Sequence, residues 1–144
     1  MFERLFDRNK SVDIDQLIFD IAEHKRAKDY EAFCKLLEGR VFFCQIDPAS
    51  TPEIPRGVPY RTQGDNGLKA TGLATINGLT LVPLYTFQGD ARLKNSYIEI
   101  EGIEALRMAE RGTGIDGLLF QNSRDSWVVL NIKQIKSLLA KRDA

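Results

Sequence analysis

The sequence predicts an α+β domain: a mixed, largely antiparallel sheet of five or six strands, with an N-terminal helical hairpin and two further helices packed on it. Three observations carry this. Apolar residues recur at helical spacing in four segments, and runs rich in β-branched and aromatic residues fall between them. Asn77-Gly78, the strongest short hairpin signal, joins two of those runs.

Ile14, Leu17, Ile18, Ile21 and Ala22 follow the i, i+3, i+4, i+7, i+8 rhythm of a helix with one apolar face. Asp13 and Asp15 stand at its start and Lys25, Arg26 and Lys28 at its end, an order that suits the helix dipole. Asp29 is then the expected N-cap of a second helix carrying Tyr30, Phe33, Cys34 and Leu37, and Gly39 its stop. Val41 to Ile46 reads as the first strand. From Asp47 to Gly67 periodicity lapses, and four of the five prolines (Pro48, Pro52, Pro55, Pro59) fall there. Loops of that length in a compact domain are functional or mobile.

Leu68 to Ile76 and Leu79 to Thr86 flank the Asn77-Gly78 turn as strands. Pro83, having no N–H to donate, is expected at an edge or a bulge. Asp90 to Asn95 suggests one or two helical turns, and Tyr97 to Glu101 alternates like a short edge strand. Ile103, Leu106 and Ala109 mark a helix that Gly112 ends. Gly117–Gln121 and Trp127–Leu130 are two more strands. Asn131 and Gln134 then open the final helix with a relative of the capping box, and Ile132, Ile135, Leu138 and Leu139 face inward.

At 144 residues, 43% hydrophobic and 28% charged, the chain reads as one domain, residues 1–144. Twenty basic residues balance twenty acidic ones, without the basic excess of a polyanion binder. The charged start and the lack of a long apolar run predict a cytosolic chain with neither signal peptide nor membrane span. Cys34 and Cys44 lack the C-x-x-C spacing and read as reduced, buried thiols.

Motifs that would carry chemistry fail on context. Gly112-Thr113-Gly114-Ile115-Asp116-Gly117 fits G-x-G-x-x-G, but a helix precedes it and a strand follows, so no helix N-terminus meets a pyrophosphate. His24, the one histidine, sits ten residues from Cys34 and twenty from Cys44, which matches no zinc site. It reads as a boundary histidine on the first helix. Glu99, Glu101 and Glu104 are the densest carboxylate cluster and read as a solvated strand face leading into a helix start. Lys25, Arg26 and Lys28, and Lys133, Lys136, Lys141 and Arg142, lie toward helix ends without interleaved aromatics. No catalytic residue, cofactor or metal ligand is assigned. Tyr85, Phe87 and Trp127 read as core anchors.

Leu81-Val82-Pro83-Leu84-Tyr85-Thr86 resembles the N-terminal domain of the SseB family, bacterial proteins named for an enhanced serine sensitivity phenotype. The resemblance continues through Asp90-Ala91-Arg92-Leu93, Gly117 to Asn122 and Val128 to Leu139, and takes in Tyr30 to Phe43, covering most of residues 15–140. Ser123 stands where that family often has proline, and Tyr85 where phenylalanine is commoner. The resemblance implies a fold; it implies no catalytic residue, cofactor or substrate.

The expectation is therefore a non-catalytic, cytosolic, bacterial protein-binding module, with an immunity-type toxin neutraliser as one variant and self-association as another. Its candidate contact residues are Phe2, Leu5 and Phe6 of the N-terminal apolar turn (residues 1–10) and Arg56, Tyr60 and Arg61 of the 47–67 loop. No nucleic acid, membrane or metal partner is expected. The rival is a small-molecule binder or an enzyme, its pocket roofed by the same loop and holding Arg56, Arg61 or Asp65.

Overall fold

The computed structural model describes residues 13–46, 72–93 and 97–143. In chain order the elements are α1 (Ile14–His24), α2 (Ala27–Leu36), β1 (Val41–Gln45), β2 (Ala74–Ile76), β3 (Leu79–Tyr85), β4 (Tyr97–Glu101), α3 (Gly102–Arg111), β5 (Gly117–Gln121), β6 (Trp127–Asn131) and α4 (Ile132–Asp143). The six strands form one mixed sheet, ordered β4-β1-β3-β5-β6, with β2 paired to β3. Every pairing is antiparallel except β3 with β5. The α+β class expected from the sequence is the one observed.

Local chemistry explains most of the boundaries. Asp13 caps α1 by accepting from the Asp15 and Gln16 amides, and Lys25 closes it in the left-handed region at φ 52°. Because that turn is so short, the chain enters α2 at Ala27 with Arg26 as N-cap. Asp29, expected as the cap, lies one turn inside, where its carboxylate accepts from Arg26 Nε at 2.7 Å. Asn77 and Gly78 both take positive φ, as the two-residue hairpin requires. β2 is shorter than the alternation suggested, starting at Ala74; residues 68–71 of that expected strand lie outside the described residues. Of the helical turns expected over Asp90 to Asn95, the described part is two consecutive turns, each closed by an i to i+3 bond (Asp90 N–H to the Phe87 carbonyl, Leu93 N–H to the Asp90 carbonyl), and residues 94 and 95 lie outside the described residues. The Asn131/Gln134 capping box is reciprocal, at 2.8 and 2.9 Å.

Pro83 is neither at a sheet edge nor in a bulge; its strand is central. Hydrogen bonds joining Thr80 to Asp116 and Thr86 to Gln121 show that even-numbered residues of β3 face β5. Pro83 therefore faces the other way. There β2 pairs no further than Leu81, and Phe43 of β1 stands opposite Tyr85. The missing N–H falls in the gap between two partners, so no ladder bond is lost.

The alternation of each strand separates two faces. Phe42, Cys44, Val82, Leu84, Ile98, Ile100, Leu118, Phe120, Val128 and Leu130 point to one, where all four helices deliver Ile18, Phe33, Leu37, Leu106, Ile135 and their neighbours. Phe120 is central, meeting Phe33 and Phe42 edge-to-face with both centroid distances at 5.0 Å. The opposite face carries a second buried strip, Leu81, Pro83, Tyr85 and Leu119, outside that cluster.

Glu101 joins the halves of the helical layer. One carboxylate oxygen accepts from the Glu104 amide and caps α3; the other accepts from Gly39 N–H at 2.7 Å, in the turn after α2. Gly102 follows it against the Leu37 backbone, so close that an added Cβ would overlap the Leu37 carbonyl. Gly102→Ala is therefore expected to lower the unfolding free energy by about 1–3 kcal/mol. Urea denaturation monitored by circular dichroism checks this, and an unchanged midpoint would contradict the close packing described.

Candidate functional site

Two features stand at the end of the sheet where the parallel strands finish: a polar cluster and an aromatic edge. The cluster forms because β3 and β5 end side by side, at Tyr85 and Gln121, and each runs into a polar turn. Asn122, fully buried, donates to the Asp15 carbonyl and accepts from the Arg124 and Ser126 amides, so it shapes the β5–β6 turn and binds it to α1. The Asp15 carboxylate accepts from the hydroxyls of Thr86 and Ser123. Three segments far apart in sequence are tied there.

Arg92 occupies the middle. Its Nε and one Nη grip Asp90 bidentately at 2.9 and 2.6 Å. Its remaining N–H groups reach the Gln121 side chain at 2.8 Å, Asp125 at 3.4 Å and the Asn122 carbonyl at 2.7 Å. The guanidinium also lies over the Tyr85 ring, 4.9 Å from its centroid. An arginine has five N–H donors, and all five are used within the chain. None remains to take a phosphate or carboxylate from outside. The cluster has the residue types of a ligand site and the connectivity of a structural knot.

The aromatic edge is β6. Its hydrogen bonds to β5 alternate, and the bonds from Asn122 to Ser126 and from Ile132 to Asp116 fix the phase. Val128 and Leu130 accordingly face β5, while the backbone groups of Trp127, Val129 and Asn131 face outward. The Asn131 N–H is already taken by Gln134. Among the described residues β6 pairs only with β5, and there Trp127 and Val129 present an unpaired ladder. The strand, Trp127-Val128-Val129-Leu130-Asn131, has neither charge nor proline. Such edges invite another strand, and charged or proline-bearing edges discourage one. β4, at the opposite end of the sheet, carries Glu99 and Glu101.

Trp127 is 45% exposed, and Phe87, just past β3, is 52% exposed. Both were expected in the core. Tyr85 is buried as expected, beneath Arg92. Periodicity could not separate these three: Trp127 is uncovered because β6 becomes the edge, and Phe87 because β3 ends at Tyr85 and leaves it in the following turn.

A cleft of about 450 Å³ opens between α2, α3 and α4, with Leu37, Ile103, Leu106 and Leu138 beneath and Lys35 and Lys141 at its rim. Arg142 and Glu38 pair at 3.2 Å on the same rim. Cys34 lines it, and burial pushes its thiol up, away from the reactive thiolate. Cys44, fully buried under the sheet, is pushed up to about 12 for the same reason. His24 is exposed at the end of α1, and no group of three or more metal-ligating side chains occurs among the described residues. No helix there is long and apolar enough to cross a membrane. The basic side chains Lys25, Lys28, Lys133 and Lys136 are exposed; Lys25, Lys28 and Lys133 lie near helix ends, and Lys136, against the expectation, in the interior of α4. Phe2, Leu5, Phe6, Arg56, Tyr60 and Arg61, and Asp65 with them, lie outside the described residues.

No family model, curated protein or solved structure matches the chain.

Two outcomes follow. Arg92 beside Asp90, chiefly through its hydrogen bonds, holds the Asp90 carboxyl below the usual carboxylate range. A carboxylate lowered on folding adds stability above its unfolded value of about 3.9 and loses it as pH falls through the folded value. Asp90→Asn is expected to cost stability at about pH 6 and little at about pH 2. Denaturant titrations across that range would show it, and parallel curves for the two proteins would refute it. The cysteines give the second outcome: iodoacetamide at neutral pH should leave native Cys44 unmodified and label Cys34 slowly, while both react in guanidinium. Rapid native labelling of Cys34, read by mass spectrometry, would reinstate it as a reactive group.

Proposed function

We propose that this chain is a non-catalytic binding module that takes another polypeptide in extended form along the β6 edge. The carrying observation is the ladder of Trp127 and Val129, unpaired among the described residues, on a strand without charge or proline and flanked by exposed indole. Main-chain hydrogen bonds would supply affinity and the Trp127 side chain selectivity, the logic of strand addition to a sheet edge. The polar cluster supports the reading from the other side: Arg92 spends every donor internally, and Asp15 holds two hydroxyls. The resemblance to the SseB N-terminal domain, which implies a fold and no reaction, fits a binding role, and toxin neutralisation is one form it could take. A cytosolic bacterial setting belongs to the same proposal. The rival pocket, roofed by the 47–67 loop, involves residues outside those described, and the cleft that is described lies instead among the helices.

The test uses peptides selected from a random display library on the immobilised chain. Methylating each peptide amide in turn should weaken binding about tenfold at two positions two residues apart, those that meet the Trp127 and Val129 carbonyls, the effect of losing one hydrogen bond of roughly 1.4 kcal/mol. Val129→Pro should abolish binding while leaving the fold intact, since its N–H faces away from β5. A methylation scan without a two-residue period, or binding that survives V129P, would overturn the reading.

A further inference from the structure

The β6 edge has a feature that a general strand acceptor does not need: it complements itself. Backbone N–H and C=O groups point outward at Trp127 and Val129 and stop there, because Gln134 closes the Asn131 N–H. An antiparallel copy of the same strand can satisfy all four exposed groups in one register, with Trp127 opposite Val129 of the second copy and Val128 on the two-fold axis. In that register Trp127 and Val129 exchange both hydrogen bonds, and symmetry repeats the exchange. A shift that centred Val129 on the axis would bring Trp127 against Asn131, whose N–H is spent.

We propose that the occupant of the β6 edge is a second copy of this chain, paired antiparallel about Val128 to make one continuous sheet. The proposal rests on the strand-addition reading and names its partner. Side chains agree with the backbone. On the face away from the helices, each half-exposed Trp127 packs across the strands on Val129 of the other copy, an aromatic–β-branched pair that removes indole from water. Charge agrees as well. Asp125, its side chain 92% exposed in the β5–β6 turn, comes beside the first turn of the other copy's α4, where the helix dipole and exposed Lys133 are both positive. β6 itself is neutral, so two copies meet without repulsion.

Four hydrogen bonds and two aromatic contacts make a small interface, of the transient class. Sedimentation equilibrium of the full chain is therefore carried to on the order of 1 mM, where an interaction of about −4 kcal/mol half-populates its complex. The expected result is a species twice the 16.3 kDa of the chain. Trp127→Lys and Val129→Lys should each weaken it by about a hundredfold or more, with far-UV spectrum and melting unchanged. Deleting residues 1–10 should leave it intact. In a mixture of isotope-labelled and unlabelled chains, a filtered NOE should join the Val128 Hα protons of the two copies, which a non-hydrogen-bonded antiparallel pair brings close. A monomer at every concentration, or a dimer indifferent to both lysine variants, would overturn the proposal. A monomer that still binds peptides with the two-residue methylation period would overturn self-pairing and spare strand addition.

Discussion

The parallel pairing of β3 with β5 is the constraint from which the rest of the architecture follows. Parallel neighbours cannot be joined by a tight turn; the chain must leave one end of the sheet and return to the other. Here it leaves through the turns after Tyr85, forms β4 at the far edge beside β1, and comes back over the sheet as α3. That excursion supplies helical cover for the centre of the sheet. It also places the ends of β3 and β5 side by side, where Arg92 and Asn122 draw the surrounding turns together. Once β5 is inside the sheet, the hairpin to β6 can only extend it outward, so β6 becomes the edge.

Burial and hydrogen bonding divide the work of holding this arrangement. The helix-side face is a hydrophobic layer in which Phe120 contacts aromatic rings from α2 and from the sheet itself. At the sheet's end the links are polar and local to the turns. Asn122 is buried with both its carbonyl and amide groups bonded, the condition under which a buried polar group costs little and fixes geometry. Glu101 works in the same way across the helical layer, holding the turn after α2 and the start of α3 with one carboxylate.

What the sequence reveals and conceals follows the reach of each interaction. Asn77-Gly78 and the Asn131/Gln134 box are legible because their causes lie within three residues. The helices are legible because one-sided burial imposes a period on each. Asp29 misleads because a cap depends on where the preceding turn releases the chain, and Lys25 settled that one helix earlier. Pro83 misleads because the gap that accommodates it is made by two strands far from it in sequence. The site is hidden for the same reason. Arg92 is a short-range partner of Asp90, but its contacts with Gln121, Asn122 and Asp125 span about thirty residues. Trp127 looks like a core residue until the strand order makes β6 an edge, and Phe87 until β3 is seen to end before it.

Trp127 is the chain's single tryptophan, and the fold has set it at the periphery. The indole that dominates the molecule's ultraviolet emission therefore sits in partly aqueous surroundings while the protein is folded. Loss of the Phe120 core would change that emission little, since the chromophore is already half in water. Coverage of the β6 edge would change it more, towards shorter wavelength. The spectroscopic signal most often read as a measure of folding is, in this chain, a gauge of whether the edge is occupied.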